Sequence, residues 1–407
     1  MRTEACRLGA SLGLAARGGC FLVFAATPLL SQAYRGSVKL PPMRPEDFDY
    51  RLPPEQIAQR PLPRRDGSRM LLLERSARRP EDLAFAQFPD LLQGHELLVL
   101  NNVRVVPARL FGQRTGTLPA TAAPSRRNQQ PTGEIEIFLT RQREPDTWEA
   151  LVRPGRKMQI GERVFFGERE LSAEVLARGE RGLRTLQFTT HDAQSISEHL
   201  ERLGHVPLPP YIERPDELAD RERYQTVFAK YPGAIAAPTA GLHFTSEILQ
   251  KVQQKGIEIC ELTLHVGLGT FQPIHSETLE KHAMHSEVYE IPEDTALQIA
   301  AARNSGRPIV AIGTTVVRAL EASALAAAEV KSSQLLVAGK AEATLFIMPG
   351  FQFRVVDALL TNFHLPKSTL LALVSAFAGR ERILAAYRHA VQAGYRFYSY
   401  GDCMFLR

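Results

Sequence analysis

Cysteine is scarce in this chain: 407 residues hold four, Cys6, Cys20, Cys260 and Cys403, far apart and with no Cys-x-x-Cys pair. That excludes a disulfide framework and a thiolate zinc site, and it fits a reducing, cytoplasmic protein. Cys260 falls inside an apolar stretch and reads as a small core residue. Long hydrophobic runs are missing too. The best, residues 21–30, stops well short of the roughly 20 residues that span a bilayer as a helix. No internal repeat is present, which excludes solenoids and propellers. An excess of one charge is also lacking over most of the chain. The total is +5, but residues 1–42 hold five basic side chains and one acidic, leaving 44 basic against 43 acidic. Any nucleic-acid binding must therefore come from a local patch.

Residues 1–42 stand apart. Arginines precede the apolar run and Ser31-Gln32-Ala33 follows it, a faint imitation of a signal peptide that Arg17, Gly18 and Gly19 interrupt. The segment reads as an upstream extension or a misassigned start with Met43 the natural one; a signal peptide and a disordered tail are the alternatives.

What is there is an ordinary globular composition, 44% apolar and 23% charged, in a chain long enough for two domains. Residues 234–271 carry its densest pattern. A Pro-Thr-Ala-Gly turn brings His243, Ser246 opens an amphipathic helix that Gly256 closes, and an apolar strand runs into His265-Val266-Gly267-Leu268-Gly269-Thr270. Two histidine loops are thereby tied to one helix and one strand, and loops at strand ends are where α/β folds place their chemistry. Further strands are expected at 68–74, 97–101, 308–312, 355–361 and 395–400, with helices at 294–304, 315–327, 368–377 and 382–392. Alternating strands and helices imply a mostly parallel sheet covered on both faces.

Between 104 and 203 the pattern changes to short strand-like runs bounded by Gly, Pro and Asp, which argues for an antiparallel β-barrel. Residues 113–132 interrupt it with Thr, Pro, Ala, Ser and Gln, the composition of a flexible hairpin loop. The expected fold is thus an α/β domain, 43–103 with 204–407, into which a barrel at 104–203 is inserted.

Six of the eleven histidines, His243, His265, His275, His282, His285 and His364, fall within 243–364. Imidazole titrates near neutral pH, so these are proton-transfer candidates, against the plainer reading of structural or surface histidines. His282 and His285 with Glu287 do not complete a metal set, and no metal is expected. Gly267-Leu268-Gly269 fails as a dinucleotide fingerprint, because Gln272 occupies the third glycine position. Gly313-Thr314-Thr315 opens a helix bearing Arg318, either a plain cap or a seat for a carboxylate or phosphate. Asn362, His364 and Lys367 lie between a strand and a helix cap, and Asp402 closes the expected last strand. Arg223, Tyr224 and Gln225 mix charge with an aromatic ring, suited to stacking a base or simply to a solvated helix face.

Ten strings occur in order: LPPEQIAQRP after DFDY, RDGSRM, HVPLPPYI, ERYQTVFA, GAIAAPTAGLHFT, LHVGLGTFQPI, HAMHSE, AIGTTVVRALE, VVDALLTNFHLPKSTLLALVSAFAG and YRFYSYGDCMF. Together they resemble the S-adenosylmethionine:tRNA ribosyltransferase-isomerase family of queuosine biosynthesis, from about Asp47 to the C-terminus. The resemblance implies an α/β domain with an inserted barrel. It implies transfer and isomerisation of the ribosyl moiety of S-adenosylmethionine onto 7-aminomethyl-7-deazaguanine at the wobble position of tRNA, giving epoxyqueuosine and releasing adenine and methionine. S-adenosylmethionine is then a consumed co-substrate and no cofactor is needed; the partner is that tRNA, with no membrane, and the protein is expected to be a monomer. Such a site needs a base for the C5′ proton, an acid for departing adenine, and aromatic or carboxylate neighbours for the sulfonium.

On that reading His243 and His265 are the acid/base candidates, with His285, Glu287 and Asp402 behind them. Gly313, Thr314, Thr315 and Arg318 are candidates for the methionine end, Phe244 and Phe271 for adenosine or sulfonium, and Gly267, Gly269 and Thr270 for the loop between. Arg223, Tyr224, Gln225, Asn362, His364 and Lys367 are candidates for RNA or nucleobase contacts. Val103, Ala300 and Cys403 depart from the family's usual threonine, asparagine and alanine. The rival readings are a methyltransferase using the same co-substrate and a tRNA-binding module without catalysis.

Overall fold

The computed structural model describes residues 41–77, 79–114, 133–267, 274 and 276–407. The expectations for residues 1–40, for most of the 113–132 loop, and for Gly269, Thr270, Phe271 and His275 lie outside the described residues.

In chain order the strands are β1 (Arg69–Leu73), β2 (Glu81–Ala84), β3 (Leu97–Asn101), β4 (Val103–Val105), β5 (Arg109–Arg114), β6 (Glu134–Glu144), β7 (Thr147–Arg153), β8 (Arg163–Phe166) and β9 (Leu171–Arg178). They continue as β10 (Leu183–Thr190), β11 (Tyr231–Ala234), β12 (Glu258–Leu264), β13 (Glu287–Ile291), β14 (Ile309–Ile312), β15 (Gly339–Ala343), β16 (Ala358–Asn362) and β17 (Cys403–Leu406).

Nine of them form one sheet in the order β15-β13-β12-β3-β14-β16-β17-β1-β2. Its centre is parallel, β12 with β3, β3 with β14 and β14 with β16, and antiparallel pairs gather toward both edges. β14 is apolar throughout and β3 is apolar up to Asn101, as strands covered on both faces must be. β3 shows why: Leu97 and Val99 enter one hydrophobic cluster while Leu98 and Leu100 enter another. The two clusters are the two faces of the sheet, and β1 and β14 alternate between them in the same way.

β5 to β10 close into a barrel in the order β10-β7-β6-β5-β8-β9, every pair antiparallel. Alternate residues such as Ile135, Ile137 and Leu139 fill its interior. Gln113 and Arg114, expected in the loop, instead end β5 and pair with β6 and β8. The chain leaves the sheet through β4 and returns through β11, and these two strands pair parallel as a short ribbon between barrel and sheet.

Two expected strands are shifted. The 355–361 strand begins only at Ala358, because the buried Glu321 carboxylate takes the backbone N–H groups of Arg354, Val355 and Val356 at 2.8–3.0 Å. Residues 395–400 form an irregular segment, and the last strand is Cys403–Leu406. Asp402 therefore precedes the last strand. Its carboxylate accepts the N–H of Arg69 and of Arg396, both at 2.8 Å, and folds the segment back on itself.

Candidate active site

The parallel strands end together, and their carboxyl ends are tied by side chains rather than by further ladder bonds. Asn101, last in β3, accepts the N–H of Leu264 at 3.0 Å and donates to the Leu264 carbonyl at 3.0 Å. Its amide also reaches Thr315 Oγ1 at 3.3 Å, so β3, β12 and the helix Thr314–Glu329 are fastened at one point. A cleft opens there, about 600 Å³ including its mouth, with Gly313, Thr314, Thr315, Asn362, His364 and Tyr398 in its wall. A crevice outside the carboxyl ends of parallel strands is the usual ligand site of an open α/β sheet. Gly313 lies between β14 and that helix with φ of +100°, a conformation only glycine adopts freely, and it turns the helix N-terminus toward the cleft.

His243 ends the tight turn Thr239–His243, which follows β11. Its ring is buried, packs 5.3 Å from the Phe85 ring, and bonds on both nitrogens. Nδ1 lies 2.7 Å from Ser68 Oγ and Nε2 lies 3.2 Å from Asn362 Nδ2. Asn362 Nδ2 also donates to the Tyr398 carbonyl at 3.0 Å, which decides which end of this amide carries the nitrogen. Nε2 of His243 is then an acceptor, Nδ1–H donates to Ser68, and Ser68 donates onward to the Arg65 carbonyl at 3.5 Å. Burial pushes His243 down to about 4, opposed by the Asn362 bond, so the ring is neutral at pH 7.

Asn362 itself is buried, and among the described residues its Oδ1 has no hydrogen-bond partner. An orphaned acceptor in a cleft wall is costly unless a ligand satisfies it. Tyr398 shows the same tension in its backbone, with φ of +70° at a bulky residue. Its ring lies 4.6 Å from that of Tyr211, and both line the cleft. His364 bonds through Nε2 to Thr361 Oγ1 at 2.8 Å, and burial lowers it to about 3.

The other expected site residues divide. His265 is half-buried and held below its ordinary value by burial, with Lys340 adding to the effect. Gly233, at φ +134°, packs so closely that a Cβ there would sit 2.7 Å from His265 Nδ1. His285 is exposed. Glu287 forms a buried ion pair with Arg318, and it accepts the Gly267 N–H at 3.0 Å. Arg318 is thereby committed to Glu287 and to the carbonyls of Ala343 and Leu345, not to the cleft. Phe244, expected against adenosine, is fully buried among Phe85, Phe88 and Phe228 and is a core residue.

Tyr224, expected to stack on a base, is also fully buried, with its ring 5.8 Å from Tyr400. Gln225 clamps β4 by bonding both the N–H and the carbonyl of Val105. Lys367 pairs with Asp49 at 3.2 Å on the surface. Among the described residues no group of three His, Cys, Asp or Glu side chains is placed to hold a metal.

Ser68, Asn101, Tyr211 and Tyr398 were not singled out in the sequence. Their own strings hold the signal only in hindsight: Asn101 is the one polar residue of an otherwise apolar strand, and Ser68 lies in an arginine-rich turn.

A two-faced α/β sheet with an inserted closed barrel, and a neutral buried histidine behind a strand-end cleft, define a class of catalytic α/β proteins rather than a single activity. The comparisons narrow it. The chain belongs to the queuosine biosynthesis protein family, whose model matches residues 45–406. It is 50% identical over 368 residues to the S-adenosylmethionine:tRNA ribosyltransferase-isomerase of Solibacter usitatus, covering 89% of this chain and all of that protein. The protein of the same name from Sorangium cellulosum is 47% identical over 389 residues, covering 90% of this chain and 99% of its own length. The crystal structure of S-adenosylmethionine tRNA ribosyltransferase from Thermotoga maritima has 36% identity over 89% of this chain and all of that one, with a TM-score of 0.47.

Proposed function

We propose that this chain transfers and isomerises the ribosyl moiety of S-adenosylmethionine onto 7-aminomethyl-7-deazaguanine in tRNA, releasing adenine and methionine. Family membership supports the reaction. The observation that carries the assignment of place is the orphaned Asn362 Oδ1 in the wall of the strand-end cleft, beside neutral His243. An amide acceptor suits an N–H of adenine or of the incoming amine. The Tyr211–Tyr398 pair takes the part expected of Phe244, an aromatic wall for the nucleoside or its sulfonium. The helix N-terminus at Gly313 and Thr314 suits the methionine carboxylate, with Arg318 left to hold the fold.

His243, neutral at working pH, is fitted to take a proton rather than to give one, and an incoming proton competes with Asn362 for Nε2. His265 is the second candidate, at the end of β12. We take the sheet as residues 43–103 with 204–407 and the inserted part as 104–203. We further propose that a cytoplasmic monomer is the working form, with S-adenosylmethionine consumed rather than retained as a cofactor.

Incubating the purified protein with S-adenosylmethionine and tRNA carrying the aminomethyl base tests the reading. Free adenine and methionine are expected; S-adenosylhomocysteine would mean methyl transfer, and binding without turnover would mean a non-catalytic tRNA protein.

A further inference from the structure

Behind His243, on the side away from the cleft, lies a second pocket of about 290 Å³. Ser399 lines both, so the two spaces adjoin with the His243–Asn362 pair between them. Arg64, Arg65 and Arg223 line the second pocket, together with Ser68 and His243, and among the described residues no carboxylate does. Arg64 meets Asp66 at 2.8 Å but remains 81% exposed.

Arg65 and Arg223 are held differently. Arg65 donates to the carbonyls of Glu222 and Leu242, and Arg223 to those of Leu62 and Pro63. Neither forms an ion pair among the described residues. Carbonyl oxygens fix a guanidinium in place and satisfy its N–H groups without cancelling its charge. Arg223 Nε, moreover, is buried with no partner among the described residues. The two guanidiniums repel: burial and then the Arg223 charge hold Arg65 below its ordinary value. Like charges held together on a rigid frame with an unused N–H form a receptor for an anion, and planar guanidinium matches the oxygens of a phosphate.

We propose that this pocket seats a phosphodiester group of the RNA substrate, on the opposite side of the His243–Asn362 pair from S-adenosylmethionine. The proposal rests on the function proposed above. It gives the site a polarity. The RNA backbone is gripped on the arginine side, the co-substrate occupies the strand-end cleft, and the modified base reaches the histidine between them. The other oxyanion available, the methionine carboxylate, has the helix N-terminus in the cleft instead.

The test uses the full chain and an anticodon stem-loop RNA carrying the aminomethyl base, with its affinity measured across a salt series. In R223Q the RNA affinity is expected to fall about tenfold, and the slope of log K against log[salt] to shrink by roughly 0.7 to 0.9, the signature of one lost phosphate contact. Affinity for S-adenosylmethionine alone, by calorimetry, stays at the wild-type value. Because Arg223 also braces Leu62 and Pro63, R64Q is measured beside it. Arg64 is largely exposed, so that variant folds, and it too should flatten the slope.

Unchanged slopes in the folded variants would overturn the proposal. So would a loss of S-adenosylmethionine affinity with the RNA slope intact, which would assign the pocket to the carboxylate. If the wild-type protein releases adenine and the slopes do not move, the pocket proposal falls alone. If the slopes move but no adenine appears, the anion site stands and the proposed reaction falls.

Discussion

Desolvation holds His243 neutral down to about pH 4 and His364 down to about pH 3, and that single cause links their chemistry to the stability of the chain. An unfolded histidine binds its proton near 6.5, so between that pH and the folded values the unfolded state takes up protons that the folded state refuses. What the two rings contribute to stability is therefore full above about pH 7 and is lost as the pH falls toward their folded values. Each buried ring costs about 2 kcal/mol between pH 7 and 5. In urea melts H243Q should lose less stability than the wild type over that interval, by about 2 kcal/mol; parallel pH profiles would refute the neutral-ring assignment. Asn362 acts on activity instead. N362A deletes the cleft acceptor and frees His243 Nε2, and adenine release at saturating substrates should drop about 100-fold. A variant turning over within a few fold of wild type would remove Asn362 from the site. Histidines were legible as candidates from residue type and loop position alone. Phe244 and Tyr224 belong to the core instead, because an aromatic next to a functional loop serves a core or a ligand equally well, and only packing decides.

Elements were legible wherever apolar residues run unbroken, because a strand buried on both faces has no alternative partner for its side chains; β3 and β14 are the cases in point. Their ends were not, since distant side chains decide where backbone groups leave the ladder. Glu321 takes three N–H groups from just before β16, 33 to 35 residues away, and Asp402, just before β17, takes that of Arg69 from 333 residues away, separations in sequence that no local pattern encodes. The Glu287–Arg318 pair works at the same scale. It joins the first residue of β13 to the helix Thr314–Glu329, and through Gly267 it holds the loop that leaves β12. Replacing one partner leaves a buried charge uncompensated, so R318M should cost about 3–5 kcal/mol. Adding E287Q to it should return part of that loss, because the orphaned charge is then gone. Thermal melts of the single and double variants check this, and a single variant within 1 kcal/mol of wild type would show the pair to be dispensable.

At the scale of the whole molecule, the two units recruit their strands from opposite ranges of the sequence. The barrel uses one contiguous stretch, β5 to β10, with its own core, so its contacts are local in sequence. The sheet cannot close that way. β17 lies between β16 and β1, pairing parallel with β1 through Met70–Cys403 to Leu73–Leu406, and all four of its residues are buried. The strand nearest the C-terminus is thus an interior strand that joins β1 and β2 to the rest, and the Asp402 carboxylate anchors the turn before it. Deleting 403–407 should therefore separate β1 and β2 from the sheet and remove the wall that Tyr398 and Ser399 give the cleft, while leaving the barrel's ladder complete. In hydrogen exchange the truncated chain should keep protected amides at 134–190 and lose protection across β1, β3, β14 and β16. If protection in the sheet survives the truncation, β17 is an accessory to a sheet that folds without it; if protection in the barrel is lost as well, the two units fold as one.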